Sequence, residues 1–223
     1  MYYFDIGVIA YSGSGVEPGL GGSLTGSYLW DIRTLADSPV RVEERKKRIP
    51  DGAGGVVETT VRFPIWFDPH ASGGTPMCAG LRMAGDLLAD WCREHPYSFP
   101  PTVLHVTDGE ATDGDEAEVE AAAAHVTRQE TKDGNVLLMN LHVSAAGGEP
   151  ISYPSSETTL PSSYARLLFR TSSLMPAEFR RRAAEVGITL REGSRAYVHN
   201  ARLNDVVNFF DIGTRPRLLG GDR

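Results

Sequence analysis

Apolar residues recur along this chain with two different periods. From Val57 to Phe67 they alternate, with Val57, Thr59, Val61, Phe63, Ile65 and Phe67 on one side and Glu58, Thr60, Arg62, Pro64 and Trp66 on the other. A period of two predicts a strand with one wetter face, and Pro64 places it at a sheet edge because proline has no N–H to donate. After Thr75-Pro76 the spacing changes. Leu81, Ala84, Leu87, Leu88 and Trp91 form a stripe at helical spacing, stopped by His95-Pro96. Thr75 suits the N-cap and Pro76 the first helical position, where a missing N–H costs nothing.

The short β-rich run Thr102–Thr107 ends abruptly in Asp108-Gly109. It reads as a buried central strand that delivers a carboxylate at its C-terminal end. Tyr2–Tyr11, aromatic and β-branched almost throughout, also reads as a buried strand, and the glycine-rich stretch Ser12–Ser27 as a loop. Asp31–Leu35 is too short to classify. Asp115, with Glu118 three residues on, makes a capping-box-like start for a helix to about Thr131, and Lys132–Asn135 a turn. Val136–Ser144 reads as an apolar strand, and a Pro/Ser/Gly-rich loop runs to Ser163. Helical segments follow near Ser163–Phe169 and Pro176–Val186, with Gly187 ending the second. Arg195–Asn200 reads as a last strand, and Leu203, Val206, Val207 and Phe210 space as a closing helix.

Strand and helix patterns thus alternate from the start. The order implies an α/β fold: a doubly wound, mostly parallel sheet with helices on both faces and one antiparallel edge strand. We read residues 1–223 as a single domain, with its core in 1–145 and further helices and a last strand in 146–223. Ligands of such sheets bind outside the carboxyl ends of the strands. Thr75, at a helix start, and Asp108, at a strand end, are expected to converge there.

Composition narrows the function classes. The 223 residues are 41% hydrophobic and 23% charged, ordinary for a globular chain long enough to bury a core. The net charge of -7 argues against a nucleic-acid binder, because phosphate contact needs a clustered positive field. The one basic cluster, Arg45-Lys46-Lys47-Arg48, follows Glu43-Glu44 directly and reads as a solvated turn. Cys78 and Cys92 fall on one predicted helix, and at ~1.5 Å per residue their separation of roughly 21 Å exceeds disulfide reach. No stretch approaches the ~20 consecutive apolar residues of a membrane span. Met1-Tyr2-Tyr3-Phe4-Asp5 lacks the basic start of a signal peptide, so a cytoplasmic protein without membrane contact is expected.

Gly73-Gly74-Thr75-Pro76-Met77, the helix after it, and Val103-Leu104-His105-Val106-Thr107-Asp108-Gly109-Glu110 together resemble the second half of a von Willebrand factor A domain. Asp5-Ile6-Gly7-Val8-Ile9-Ala10-Tyr11-Ser12 is similar to that family's second strand. The resemblance covers residues 1–145 well and the C-terminal third loosely. It implies a Rossmann-like sheet and a metal-ion-dependent adhesion site (MIDAS) holding Mg2+. In this chain Thr75 would coordinate by its hydroxyl and Asp108 directly or through water. Gly73, Gly74 and Gly109 would let the backbone approach a partner. Magnesium takes hard oxygen ligands and keeps several waters, so an open position can accept an acidic residue of a partner protein. Such a module binds and is not an enzyme.

The chain departs from the family at its start. The family's first, central strand ends in Asp-x-Ser-x-Ser, and no such motif precedes Thr75. Ala10-Tyr11-Ser12-Gly13-Ser14 has two serines at that spacing, with Ala10 in the aspartate's place. The Mg2+ site is therefore expected to be incomplete, and codons upstream of Met1 are expected to encode the missing strand. Without that strand, Tyr2–Tyr11 is expected to close up against Thr102–Thr107, or the chain to be unstable.

An enzymatic alternative rests on the acidic run Asp108-Gly109-Glu110-Ala111-Thr112-Asp113-Gly114-Asp115, which could serve a metal-dependent hydrolase through Asp108, Asp113 and Asp115. It is not an EF-hand loop: Asp113 stands at the sixth position instead of glycine and Val119 at the twelfth instead of glutamate. The competing expectation makes Asp113 and Asp115 turn and helix-cap residues. A third possibility is a structural remnant with no ligand. His105 and His142, inside apolar strands, read as hydrogen-bonded core residues.

Overall fold

A computed structural model of the chain describes residues 4–50, 52, 55–70, 73–143, 148–185 and 187–214. It divides into two units, Met1–Gly73 and Gly74–Arg223.

In the first unit the described part of the Tyr2–Tyr11 run breaks into two strands, β1 (Asp5–Gly7) and β2 (Ile9–Ser12); Tyr2 and Tyr3 lie outside the described residues. β2 turns straight back into β3 (Gly15–Pro18), with Ser12 opposite Gly15. Only Gly13 and Ser14 make the turn, and Gly13 has φ 62°, the left-handed backbone that two-residue hairpins require. Ser12 thus ends a strand and Ser14 lies in a hairpin turn. β1 pairs antiparallel with β4 (Leu29–Asp31), and Gly7 is needed there: a Cβ would lie 2.6 Å from the Tyr28 carbonyl oxygen. Helix α1 (Ile32–Asp37) starts on Asp31, whose carboxylate accepts from the N–H groups of Arg33 and Thr34. β5 (Arg41–Pro50) and β6 (Val56–Ile65) form a long antiparallel ribbon. The basic cluster Arg45–Arg48 is therefore in a strand and not in a turn. Leu20 and Leu24 are buried, and the indole N–H groups of Trp30 and Trp66 donate to the carbonyls of Leu24 and Leu35.

The second unit opens with α2 (Met77–Glu94), followed by β7 (Thr102–Thr107) and α3 (Glu116–Thr127). A small hairpin of β8 (Glu130–Thr131) and β9 (Gly134–Asn135) leads into β10 (Leu137–His142). Then come β11 (Ile151–Ser152), α4 (Ser163–Thr171), α5 (Ala177–Glu185), β12 (Tyr197–His199) and α6 (Leu203–Thr214). The sheet runs β11-β12-β10-β7, with β7, β10 and β12 parallel and β11 antiparallel at the edge. Met139, Leu141, Val198, Phe179, Phe209 and Ile212 form the core on one side of it. Asn140 points the other way, where its amide donates to the Leu168 carbonyl and to the hydroxyls of Thr171 and Ser172 in and beside α4.

This architecture overturns the expected doubly wound, mostly parallel sheet. Among the described residues only three strands run parallel, and β7 stands at the end of the sheet order, not at its centre. The strands within the runs Tyr2–Tyr11 and Val57–Phe67, expected to extend that sheet, are β1, β2 and β6, which pair antiparallel within two-stranded sheets of the first unit instead. β-branched and aromatic content reports that a segment suits a pleated surface and does not say which strand lies beside it.

Candidate functional site

The carboxyl ends of β7, β10 and β12 deliver Asp108, His142 and His199. Because these strands are parallel and in register, Asn140 beside His105 and Tyr197, their terminal residues come out at one end of the sheet. In an open α/β sheet that end is where ligands bind.

The turn after β7 is held from three sides. Thr107, buried, donates its hydroxyl to the Gly109 carbonyl at 2.9 Å. Tyr164, in the first turn of α4, donates its phenol to the same carbonyl. Thr75 and Thr112 bond reciprocally: the Thr75 N–H donates to the Thr112 hydroxyl at 2.8 Å, and the Thr112 N–H to the Thr75 carbonyl at 2.9 Å. These bonds leave the Thr75 hydroxyl close over Gly109, where an added Cβ would come within 3.1 Å of Oγ1. Thr75 and the Asp108-Gly109 turn, separated in sequence, are thus brought together. Asp108 itself is exposed. Gly74 is half-buried, and Gly73, exposed with φ 69°, ends the first unit.

The other two acidic residues have different work. Helix α2 has Pro76 at its N-cap, which offers no side-chain acceptor. The carboxylate of Asp113 supplies it from across the loop, accepting from the N–H of Cys78 at 3.0 Å and of Ala79 at 2.8 Å. Thr75 is therefore freed from the capping role expected of it. Asp115 caps α3 in a full capping box with Glu118. Of the three carboxylates proposed for hydrolysis, only Asp108 is not bound to a helix start.

His142 and His199, not expected as a pair, come together at this end of the sheet. Their rings stack with centroids 5.0 Å apart and planes 14° from parallel, and Tyr164 packs edge-on against His142 at 5.7 Å. The Tyr197 hydroxyl lies 3.1 Å from Nδ1 of His199. Nδ1 of His142 is buried without a hydrogen-bond partner among the described residues. Burial lowers the pKa of His142, the neighbouring His199 lowers it further, and Asp108 works in the opposite direction. Burial also lowers that of His199. Both rings are therefore neutral at pH 7. Stacked rings direct their lone pairs along parallel planes, which do not converge on one ion. Among the described residues no three His, Cys, Asp or Glu side chains group to hold a metal. His105 is a core residue as expected, buried, with Nδ1 2.7 Å from Oδ1 of Asn140.

No family model, curated protein or solved structure matches the chain.

The site's chemistry therefore rests on its own residues. Thr75 and Asp108 offer hard oxygen donors from two loops, the donor type magnesium selects, but too few to fill its octahedral shell without water. The thiol nearest the loop, Cys78, is buried and free, and burial together with the Asp113 carboxylate pushes its pKa up to about 11. It stays protonated and is a poor nucleophile. The signal that could have found the histidines is positional: each is the last residue of a short apolar strand, as Asp108 directly follows one.

Proposed function

We propose that this chain is a protein-interaction module whose metal site resembles that of von Willebrand factor A domains. Thr75 and Asp108 would bind Mg2+ as a partial MIDAS, and a partner's carboxylate would complete the shell. The observation that supports this reading is the approach of the Thr75 hydroxyl to Gly109, the residue after Asp108 at the carboxyl end of β7. Gly73, Gly74 and Gly109, lacking side chains, keep the surroundings open to a partner's backbone. Magnesium, when bound, supplies positive charge for that carboxylate. The chain's own residues hold the crest in shape and contribute no reacting group. The setting we assign is the cytoplasm, which the two free, buried cysteines suit. No helix among the described residues is long and apolar enough to cross a membrane.

Calorimetric titration of the full chain with Mg2+ tests the reading. Weak binding is expected, lost in both Thr75→Ala and Asp108→Ala, and an acidic peptide should bind the wild-type chain only when Mg2+ is present. Metal binding that survives both substitutions would remove these residues from the site. Turnover of phosphoester or peptide substrates would favour the hydrolase instead.

A further inference from the structure

The ribbon of β5 and β6 is unusual for an acidic chain. Its strands are ten residues each, most of their side chains are exposed, and among the described residues no third strand joins them. We propose that the outer edge of β5 pairs with the same edge of a second copy of this chain, antiparallel about a two-fold axis at Arg45.

Pro64 fixes which backbone groups face outward. It has no N–H, so the Val42–Pro64 pair cannot be one that exchanges hydrogen bonds. The ladder is then carried by the alternate pairs Glu43–Phe63, Arg45–Val61, Lys47–Thr59 and Ile49–Val57. The N–H and C=O groups of Val42, Glu44, Lys46 and Arg48 consequently turn to the outer edge. These four residues are spaced symmetrically about Arg45. A two-fold axis through Arg45, perpendicular to the sheet, sets Val42 against Arg48 of the second copy and Glu44 against its Lys46. The outward groups of all four residues then meet partners. Moving the axis to Lys46 instead sets Val42 against Pro50, which has no N–H to give.

Side-chain charge selects the same register. Residues 43–48 read Glu-Glu-Arg-Lys-Lys-Arg, a block of each sign. With the axis at Arg45, Glu43 faces Lys47 of the second copy on one side of the sheet and Glu44 faces Lys46 on the other. With the axis at Lys46, Lys46 faces itself and Arg45 faces Lys47; with the axis at Glu44, Glu44 faces itself and Arg41 faces Lys47, so each alternative has a second like-charged meeting. Lysines on a lone edge usually prevent pairing, and here the opposite blocks convert that defence into complementarity. Within one chain Glu44 and Lys47 make no ion pair among the described residues, whereas Glu43 is held by Arg41 and Arg45, and Glu58 by Lys46 and Arg48. The one like-charged meeting, Arg45 with Arg45, is softened because each guanidinium lies 2.8 Å from Glu43 and over the Phe63 ring.

Sedimentation equilibrium of the full chain is expected to show a micromolar dimer. Glu44→Lys sets lysine against lysine across the axis, and Lys46→Glu sets glutamate against glutamate, so each alone should weaken association about tenfold or more. Mixed in equal amounts, the two variants should associate again, because each position 44 then meets an opposite charge at position 46. Two misfolded proteins would not rescue each other. Arg45→Cys, which faces itself, should cross-link on oxidation, and Val42→Cys, which faces Arg48, should not. A wild-type chain that stays monomeric throughout that range, variants that dimerise undiminished, a mixture that fails to recover, or cross-linking at 42 in preference to 45 would each overturn the proposal.

Discussion

The carboxylate of Asp113 accepts a hydrogen bond from the backbone N–H of Cys78 at 3.0 Å, closing the start of a helix to which it does not belong. Its second oxygen does the same for Ala79. Two of the helix's four orphan donors are thereby satisfied, and a negative charge sits at the positive end of its dipole. The loop after β7 is thus fastened to α2 by the residue that a metal-dependent hydrolase would have needed as a ligand.

Asp113→Ala should lower stability by roughly 1–3 kcal/mol, the range for losing a cap and leaving N–H groups unpaired. Asp113→Asn, whose amide oxygen still accepts, should recover part of it. Urea midpoints of the three proteins measure this. An alanine variant as stable as the wild type would mean that water caps the helix equally well.

Asp108→Ala should leave stability within about 0.5 kcal/mol, since an exposed carboxylate without a side-chain hydrogen bond among the described residues holds nothing together. Mg2+ affinity should vanish with it. A loss of several kcal/mol would make Asp108 a structural residue and withdraw it from the site.

Asn140 predicts the largest stability effect. It is buried, its oxygen faces His105, and its two amide hydrogens serve three oxygens of the α4 region. Asn140→Leu keeps the volume but removes the acceptor facing His105 Nδ1 and the amide that ties β10 to the oxygens of Leu168, Thr171 and Ser172. We expect a cost of about 2–5 kcal/mol, read from denaturant unfolding. A smaller change would show that water enters and replaces the amide.

What could be read from the sequence was what local chemistry dictates. The α2 stripe, the Asp115–Glu118 capping box, the strand ending at Asp108 and the closing helix each follow from side chains within a few residues of one another. What could not be read depends on partners distant in sequence. The charged residues of β5 carry no period of two, so the strand showed only as a basic cluster; its partner β6 defines it through ten cross-strand pairs. The capping of α2 by Asp113 crosses from another loop. The stacking of His142 on His199 exists because β10 and β12 lie side by side, with Asn140 opposite Tyr197. The aromatic run at the start suggested one buried strand, and the close approach of Gly7 to Tyr28 and the turn at Gly13 divide and reverse it.

Acid should weaken the fold through its histidines. Burial lowers His105, His142 and His199 below the ordinary value of 6.5. On acidification the unfolded chain therefore takes up these protons before the folded chain does, and stability falls. The contribution is complete above the unfolded value and is lost as pH drops from about 7 toward the folded values. Urea midpoints across that window should decline, and NMR titration of His199→Gln should show the His142 value raised by removal of its neighbour. An unchanged His142 would mean that burial alone sets it.

Tyr164→Phe separates positioning from support. The phenol donates to the Gly109 carbonyl, but that carbonyl also accepts the Thr107 hydroxyl, so removing Tyr164's oxygen leaves it satisfied. The ring remains, buried and edge-on to His142. The stability cost should accordingly lie at the low end for a hydrogen bond, ~0.5–1 kcal/mol. Metal affinity should suffer more than stability suggests. Gly109 directly follows Asp108, and its carbonyl is the point at which α4 restrains that turn. Released from α4, the turn samples positions in which Asp108 and the Thr75 hydroxyl no longer face one ion, and Mg2+ binding should weaken about threefold to tenfold, or roughly 0.7–1.4 kcal/mol. The decisive comparison is between the two readouts in the same variant. If unfolding and Mg2+ titration both stay at wild-type values, Thr107 alone holds the turn. If stability falls while metal affinity is unchanged, Tyr164 serves packing and the Asp108 turn needs no restraint from α4.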